Sequence, residues 1–304
     1  MVAIESISAL LPQLIGGSAD LSGSNNTKTK NSKIINSKNF DGNYIHYGVR
    51  EHGMAAVMNG LALYGGLIPY GGTFLIFSDY CKPSIRLSAL MGLKVIYIFS
   101  HDSIGLGEDG PTHQPIEQLT GLRAIPNLNI FRPADINETI ECWQVALKSH
   151  GTPSVIALSR QKVPYINPIN SKENKCEKGA YVVSITSHES NVTIIASGTE
   201  VELALKVQKK LKENNIHSKV VSMPCMELFD KQPKDFCNDI IEQDSLIVTL
   251  EAGSIMSWQK YVKDKGMNIG IDQFGESAPY KEVYEHFSLS EENIVGFIQK
   301  KLRE

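Results

Sequence analysis

The amino-acid sequence predicts an α/β protein of two domains, each a parallel or mixed sheet flanked by helices. Three observations carry that expectation. Helical and strand patterns alternate along the whole chain, as they do where helices connect the strands of a sheet. The strand candidates are short apolar runs, of which Val95-Ile-Tyr-Ile-Phe99 is the clearest and reads as buried. Past the middle, residues 161–178 are rich in Pro, Asn and Lys and carry little periodicity, which marks a linker. We therefore expect one domain over 1–165, a connection over 166–178 and a second domain over 179–304. A chain of 304 residues is long enough for two cores.

The first unit opens with a short amphipathic helix, 2–11, that stops before Pro12. Strand Leu14–Gly17, a polar loop, strand Tyr44–Tyr47 and helix Arg50–Leu63 follow. Strand Leu67–Tyr70 leads to a helix over Leu75–Met91 and then to strand Val95–Phe99. Strand Leu128–Phe131 runs into a helix that Asp135 and Glu138 start as a capping box, and strand Ser154–Ser159 closes the unit. The second unit opens with strand Val192–Ala196. Its first helix has Ser197 and Glu200 at capping spacing, then Val201, Leu205, Gln208 and Leu211 at near-helical steps. Strands Lys219–Met223, Leu246–Glu251 and Met267–Ile271 follow, and a helix around 290–302 ends the chain.

Composition excludes several classes. Hydrophobic content of 42% with 21% charge is that of an ordinary globular protein. A net charge of −3 gives no reason to expect nucleic acid or an acidic membrane surface as partner. The one basic patch, Lys28, Lys30, Lys33 and Lys38, lies in an Asn/Ser-rich segment and reads as a solvated loop. Five cysteines (81, 142, 176, 225 and 237) lack C-x-x-C spacing, which suggests neither a zinc site nor a disulfide framework and fits a reducing cytoplasm. No run approaches membrane-spanning length and nothing resembles a signal peptide.

The chemistry concentrates in HDSIGLGEDGPTHQP, 101–115, directly after the buried run at 95–99. It sets two histidines and three acids among glycines, at the end of a strand where open α/β sheets place their ligands. Gly105, Gly107 and Gly110 match the dinucleotide pattern G-x-G-x-x-G, but that pattern needs a helix to open at the third glycine. Pro111 and Pro115 interrupt the backbone there, and Glu108 and Asp109 would face an incoming anion, so we reject a nicotinamide or flavin site. Reading His101, Asp109 and His113 as metal ligands fails on spacing, which fits no usual zinc pattern.

Six words of this sequence resemble the transketolase family, in the family's order and nearly end to end. They are GGSADLSGSN (16–25), YGVREHGMAAVMNG (47–60), GGTFLIFSDY (71–80), HDSIGLGEDGPTHQP (101–115), LSRQ (158–161) and FGESAPY (274–280). The resemblance implies a thiamine-diphosphate enzyme that moves a two-carbon ketol unit between sugar phosphates in the pentose phosphate pathway. Of that family's three domains, the chain resembles the pyrimidine-binding and C-terminal ones. Nothing in this sequence resembles the family's diphosphate-binding domain with its GDG metal motif, or its upstream phosphate-gripping arginine. The implied cofactor contact is therefore the pyrimidine end of thiamine diphosphate only. Mg2+ or Ca2+ would enter through the missing domain, with no metal ligand from this chain. A split subunit, a truncated gene product and an internal start all stay open. The implied partner is a diphosphate-binding domain or subunit, in a homodimer or heterotetramer.

Carried over residue by residue, the resemblance makes Glu51 the catalytic carboxyl, bonded to a ring nitrogen of the aminopyrimidine. Such a carboxyl works protonated, so burial against the cofactor has to outweigh the helix dipole, which favours the ionised form. Phe77 is implied to stack on the pyrimidine ring with Phe74 and Tyr80 beside it, and Asp20 and Leu21 to face the cofactor. His101 and Arg160 are implied phosphate ligands, with Ser24 a further donor. Asp109 would accept from a donor hydroxyl, and His113 would sit by the carbonyl oxygen that becomes an alkoxide, so that His101 and His113 join Glu51 as catalytic candidates. Read without the resemblance, Glu51 is an acid at a helix start and Phe74, Phe77 and Tyr80 step by three along a core-facing helix. Ser24 is then a loop serine and Arg160 a strand-end arginine in water. Two rival functions remain: the β subunit of a 2-oxoacid dehydrogenase, and a non-catalytic interaction fragment. GEDGPTHQP and the His101/Arg160 pair argue against the first, because an oxoacid donor carries no sugar phosphate.

Overall fold

The apolar run at 95–99 becomes what its composition demands, a strand at Ile96–Ser100 buried along its whole length near the middle of a sheet. The computed structural model describes residues 1–166, 173–187, 189–242, 244–262 and 266–304. The first sheet holds β1 (Leu14–Ser18), β2 (Tyr44–His46), β3 (Ile68–Phe74), β4 (Ile96–Ser100), β5 (Asn129–Phe131) and β6 (Ser154–Leu158). They run in the order β2-β1-β3-β4-β6-β5, all parallel, so every strand ends on the same edge. Helices α1 (Val2–Leu10), α2 (Ser22–Asn25), α3 (Glu51–Tyr64), α4 (Ser78–Leu90), α5 (Gln118–Arg123) and α6 (Ile136–Lys148) are interleaved with them. Side chains of β4 alternate between two cores: Tyr97 and Phe99 pack with Met54, Met58 and Ile85 of α3 and α4, while Ile96 and Ile98 pack with Trp143 of α6.

The second sheet is mixed. Its strands are β7 (Tyr181–Ile185), β8 (Val192–Ala196), β9 (Ser218–Ser222), β10 (Leu246–Leu250) and β11 (Met267–Ile269), in the order β11-β10-β8-β9-β7. Only β7 is antiparallel, against β9. Helices α7 (Glu200–Glu213), α8 (Met226–Phe229), α9 (Lys234–Ile240), α10 (Tyr280–His286) and α11 (Glu291–Lys301) accompany it.

Several expectations need correction. The strand expected over 67–70 continues to Phe74 through Gly71 and Gly72, which pair with Tyr97 and Ile98 of β4 where neighbours leave no room for a side chain. A Cβ at Gly71 would lie 2.3 Å from the Met58 sulfur, and one at Gly72 would lie 2.5 Å from Thr27 Cγ2. Leu75–Phe77 then make a 3₁₀ turn and α4 starts only at Ser78, so Phe74, Phe77 and Tyr80 do not share one helix. Ser197 and Glu200 do not cap α7, whose preceding residue is Thr199, with no side-chain capping bond. Half of the capping box at α6 forms: Asp135 accepts from Glu138 N at 2.9 Å, whereas Glu138 takes the N–H of Ala134, one residue before the cap, at 2.7 Å. Strand β7 and helices α2, α5, α8, α9 and α10 escaped the reading; of these helices none exceeds seven residues, too short for a periodic signal. Of the expected connection, 167–172 lies outside the described residues, and Lys175–Lys178 form a 3₁₀ turn.

A buried ionic cluster joins the two sheets. Arg132, directly after β5, donates from Nε to Asp102 Oδ2 at 2.9 Å and from Nη1 to Ser197 O at 3.0 Å and to Glu200 Oε2. Arg123 at the end of α5 grips Glu251 with both Nη atoms, at 2.6 and 2.8 Å. Ser197 Oγ and Trp258 Nε1 also donate to Glu251, at 2.5 and 2.8 Å. Burial alone would push the Glu251 carboxyl up, yet Arg123 and then Arg132 hold it at about 2. Arg132→Met should cost about 3–5 kcal/mol, because the carboxyls it leaves behind stay buried without their cation. A urea unfolding midpoint equal to the parent's would show that water reaches them instead.

Candidate active site

Because the first sheet is parallel, the loops that follow β1, β3, β4 and β6 leave from one edge, where such sheets take ligands. Phe74 is the last residue of β3, Phe77 lies in the turn beyond it and Tyr80 in the first turn of α4. His101 follows β4 directly, and Arg160 lies two residues beyond β6. These ends assemble a continuous stack of rings. His101 lies on Phe74 with centroids 3.8 Å apart, Phe74 on Phe77 at 5.8 Å, and Phe77 on Tyr80 at 5.8 Å. His113 meets Phe77 edge-on at 5.5 Å and 71°. The four rings thus stack in one row, with His101 at one end and His113 edge-on to Phe77 in its middle.

Beside this row a cavity of about 520 Å³ is lined by Val49, Arg50, Glu51, His52, Phe77 and Tyr80. Glu51, first residue of α3, is 8% exposed although it begins a helix. Arg50 directs its guanidinium back to Tyr47 O at 2.9 Å, and His52 Nδ1 pairs with Ser84 Oγ at 3.2 Å. Sequence reasoning passed over Arg50 and His52, which flank Glu51 in the word YGVREHGM and were open to the same attention.

His101 is held at φ +61, a left-handed conformation that costs a non-glycine residue about 1–2 kcal/mol. Its Nδ1 pairs with Ser100 Oγ at 3.0 Å. Burial first, then the Arg160 charge, push its imidazole down to about 4, against the pull of Asp109. At neutral pH the ring is therefore uncharged and can donate one hydrogen bond, and the fixed positive charge beside it belongs to Arg160. Asp109 is exposed in the loop, and His113 pairs through Nδ1 with Thr112 Oγ1 at 2.9 Å.

The structure thus brings Glu51, Phe74, Phe77, Tyr80, His101 and His113 together, with Asp109 and Arg160 close enough to act electrostatically on His101. Asp20, at φ +64, Leu21 and Ser24 lie on the loop and short helix that leave the neighbouring strand β1, and Ser18 Oγ accepts from Leu21 N at 3.1 Å. Among the described residues no three His, Cys, Asp or Glu side chains gather as a metal site. Sequence reasoning missed Asp102 and Arg132, because a lone arginine between a strand and a proline carries no pattern.

Fold and site together define a two-domain α/β protein with a row of stacked rings beside a buried carboxyl. Comparison with known proteins narrows this class. Residues 2–165 match the transketolase pyrimidine-binding domain family and 179–290 the transketolase-like TK C-terminal domain family. The chain belongs to the transketolase family. It is 50% identical to the transketolase of Sinorhizobium medicae over 303 residues, covering 99% of this chain and 44% of that protein. The Aquifex aeolicus transketolase is 46% identical over 293 residues, covering 96% of this chain and 42% of that one. The chain thus spans about half the length of the curated relatives it matches. Among solved structures, Pichia stipitis transketolase in complex with sedoheptulose 7-phosphate superposes with a TM-score of 0.94 at 38% identity, over 99% of this chain and 44% of that one. A split-gene transketolase, solved as an inactive β4 tetramer, superposes with a TM-score of 0.80 at 25% identity, over 99% of this chain and 96% of that one.

The His101 geometry makes a titration prediction. Its ring proton resonance should move with a midpoint near 4 instead of its ordinary 6.5, and Arg160→Gln should raise that midpoint only partway, since burial is the larger cause. The folded value lies below the unfolded one, so stability from this group is complete above about 6.5 and falls as pH drops toward 4. A midpoint near 6.5 by NMR would remove the neutral-imidazole assignment.

Proposed function

We propose that this chain is the pyrimidine-binding and C-terminal half of a transketolase, an enzyme that moves a two-carbon ketol unit from a ketose phosphate to an aldose phosphate. The observation that carries the reading is the ring stack from His101 to Tyr80, opening on the Glu51 cavity. Phe77 and Tyr80 suit a flat ring and Glu51 suits one of its nitrogens, so the residues fit the heterocyclic end of thiamine diphosphate. When bound, thiamine diphosphate supplies the nucleophilic carbon and the electron sink for breaking and making the carbon–carbon bond.

The chain's own residues then divide the work. Glu51, 8% exposed at the start of α3, meets the ring nitrogen with its carboxyl. Phe77, with Phe74 and Tyr80, holds the ring in plane, and Asp20 and Leu21 face it from the β1 loop. Neutral His101 donates one hydrogen bond toward the sugar phosphate, whose charge is met by the Arg160 fork, with Ser24 a further donor. Asp109 accepts from a substrate hydroxyl, and His113 meets the oxygen that gains charge during transfer. The diphosphate and its Mg2+ or Ca2+ belong, in this reading, to a partner domain or subunit, as a homodimer or heterotetramer. We place the protein in the cytoplasm, where its five free thiols stay reduced. Among the described residues no helix is long and apolar enough to cross a membrane.

Two observations support an incomplete site. The relatives are about twice as long, and α3 and α4 expose Val57, Tyr64, Leu87 and Leu90 at 45–89%, an apolar face of the kind that partners cover. The similar split-gene protein, inactive as a β tetramer, supports the same view. Supplied with donor, acceptor, Mg2+ and cofactor, the pure chain is expected to show no turnover. Addition of a separately made transketolase diphosphate domain is expected to restore both cofactor binding by calorimetry and turnover on xylulose 5-phosphate. In that mixture Glu51→Gln should lower turnover by about 10²–10⁴-fold. Robust activity of the chain alone would falsify the half-site reading, and activity on pyruvate instead of the sugar phosphate would favour the oxoacid class.

A further inference from the structure

FGESAPY, 274–280, belongs to the second domain and has no part in the reaction as assigned above. Its backbone nevertheless lies against the loop that carries Asp109 and His113. Gln114, 2% exposed, donates from its one Nε2 to Gly107 O and to Glu276 O, each at 2.9 Å. Ser277 Oγ donates to Glu108 O at 2.5 Å. Gly275 leaves room for the carboxamide: a Cβ there would sit 1.7 Å from Gln114 Oε1. On the loop side, His113 N and Gln114 N both donate to Gly110 O, at 3.0 and 3.1 Å. At the loop's two roots, Ile104 and Ile116 are buried in the hydrophobic core of the second domain.

We infer that the 274–280 segment is part of the sugar-handling apparatus, with Gln114 as the positioning residue. A loop of five residues between Gly107 and His113 would otherwise be free to swing, because its acids and Thr112 are exposed. Gln114 ties the loop's exit to its entry at Gly107, and ties both to a backbone carbonyl of the other domain. Ser277 fixes the carbonyl immediately before Asp109. The carboxylate of Asp109 and the ring of His113 then hold their separation before any sugar arrives, which is where preorganisation lowers the cost of binding. The sugar-handling part of this inference rests on the transketolase reading; the clamp itself does not.

Two measurements test the two parts separately. In the full chain, Gln114→Ala and Gly275→Ala should each speed amide hydrogen exchange across 107–114 by at least about tenfold, as loss of two hydrogen bonds implies. Exchange in β4 and β8 should stay unchanged, and Gly296→Ala, where an added Cβ meets nothing, serves as control. Unchanged loop exchange overturns the clamp, and exchange that rises equally throughout the chain overturns it too, because the bonds would then serve only global stability. In the mixture with the diphosphate domain, both variants should raise the donor KM about tenfold or more while kcat stays within about threefold. A mobile loop with unchanged KM and kcat overturns the positioning role. Failure of the parent mixture to turn over any sugar phosphate defeats the transketolase reading, and with it the sugar-handling part, and leaves the exchange result to decide the clamp.

Discussion

The two domains are held in one arrangement by a pair of arginines that the first inserts into the second. The receiving place is chemically informative. Strand β8 has β10 on one side and β9 on the other, so chain connections diverge from it, and in open α/β sheets the crevice at that carboxyl edge takes ligands. Ser197 follows β8, Glu200 opens α7 and Glu251 follows β10, all at this edge, and they bind Arg123 and Arg132. The second domain thus uses its natural ligand crevice to dock its neighbour. Ion pairs this deep seldom exceed hydrophobic residues of equal volume in stability, so their consequence lies in geometry. Two guanidinium groups of the first domain bonded to two buried carboxyls of the second, Glu200 and Glu251, hold the domains in one relative placement.

That placement reaches the active edge through one residue. Asp102, which accepts from Arg132, directly follows His101, so the contact that docks the domains also fixes the backbone at the strained imidazole. A second polar joint lies on the opposite side. Glu138 of α6 accepts from Tyr181 of β7 at 2.7 Å and from Ser222 of β9 at 2.6 Å, and burial pushes its carboxyl up to about 7. The two groups answer pH in opposite senses. His101 has a depressed folded value and loses stability on acidification below about 6.5. The Glu138 value is raised, so its contribution is complete below about 4.5 and is lost as pH rises through about 7. The two slopes oppose each other between about 4.5 and 6.5, so together these groups leave stability nearly level across that interval.

How much of this was legible depended on how local the cause was. A buried central strand writes itself as a run of apolar β-formers, and β4 was readable for that reason. The Asp135/Glu138 pairing was readable because both partners lie within one turn. Phe74 misled because Gly71 and Gly72 look like a strand end, while the close approach of Met58 and Thr27, which leaves room for glycine alone in this paired strand, comes from residues distant in sequence. Ser197 and Glu200 misled for a related reason: their spacing suits a cap, but an arginine from the other domain claims both side chains. Strand β7 alternates weakly and is half exposed, as an antiparallel edge strand is, and so lacks the apolar run that marked the others. The candidate site residues lay in quotable words, whereas Gln114 acts across 162 positions, beyond any pattern of spacing.

The same geometry explains why the chain carries only part of a site. Parallel strands deliver their ends to one edge, and this sheet spends that edge on rings, imidazoles, an arginine and a carboxyl at the start of α3. The second domain closes the site from one side, by bracing the 101–115 loop through Gln114 and Ser277. On the other side α3 and α4 present Val57, Tyr64, Leu87 and Leu90 to solvent, while Glu51, 8% exposed at the start of α3, lines the cavity. A surface that covers α3 and α4 would bury this apolar face.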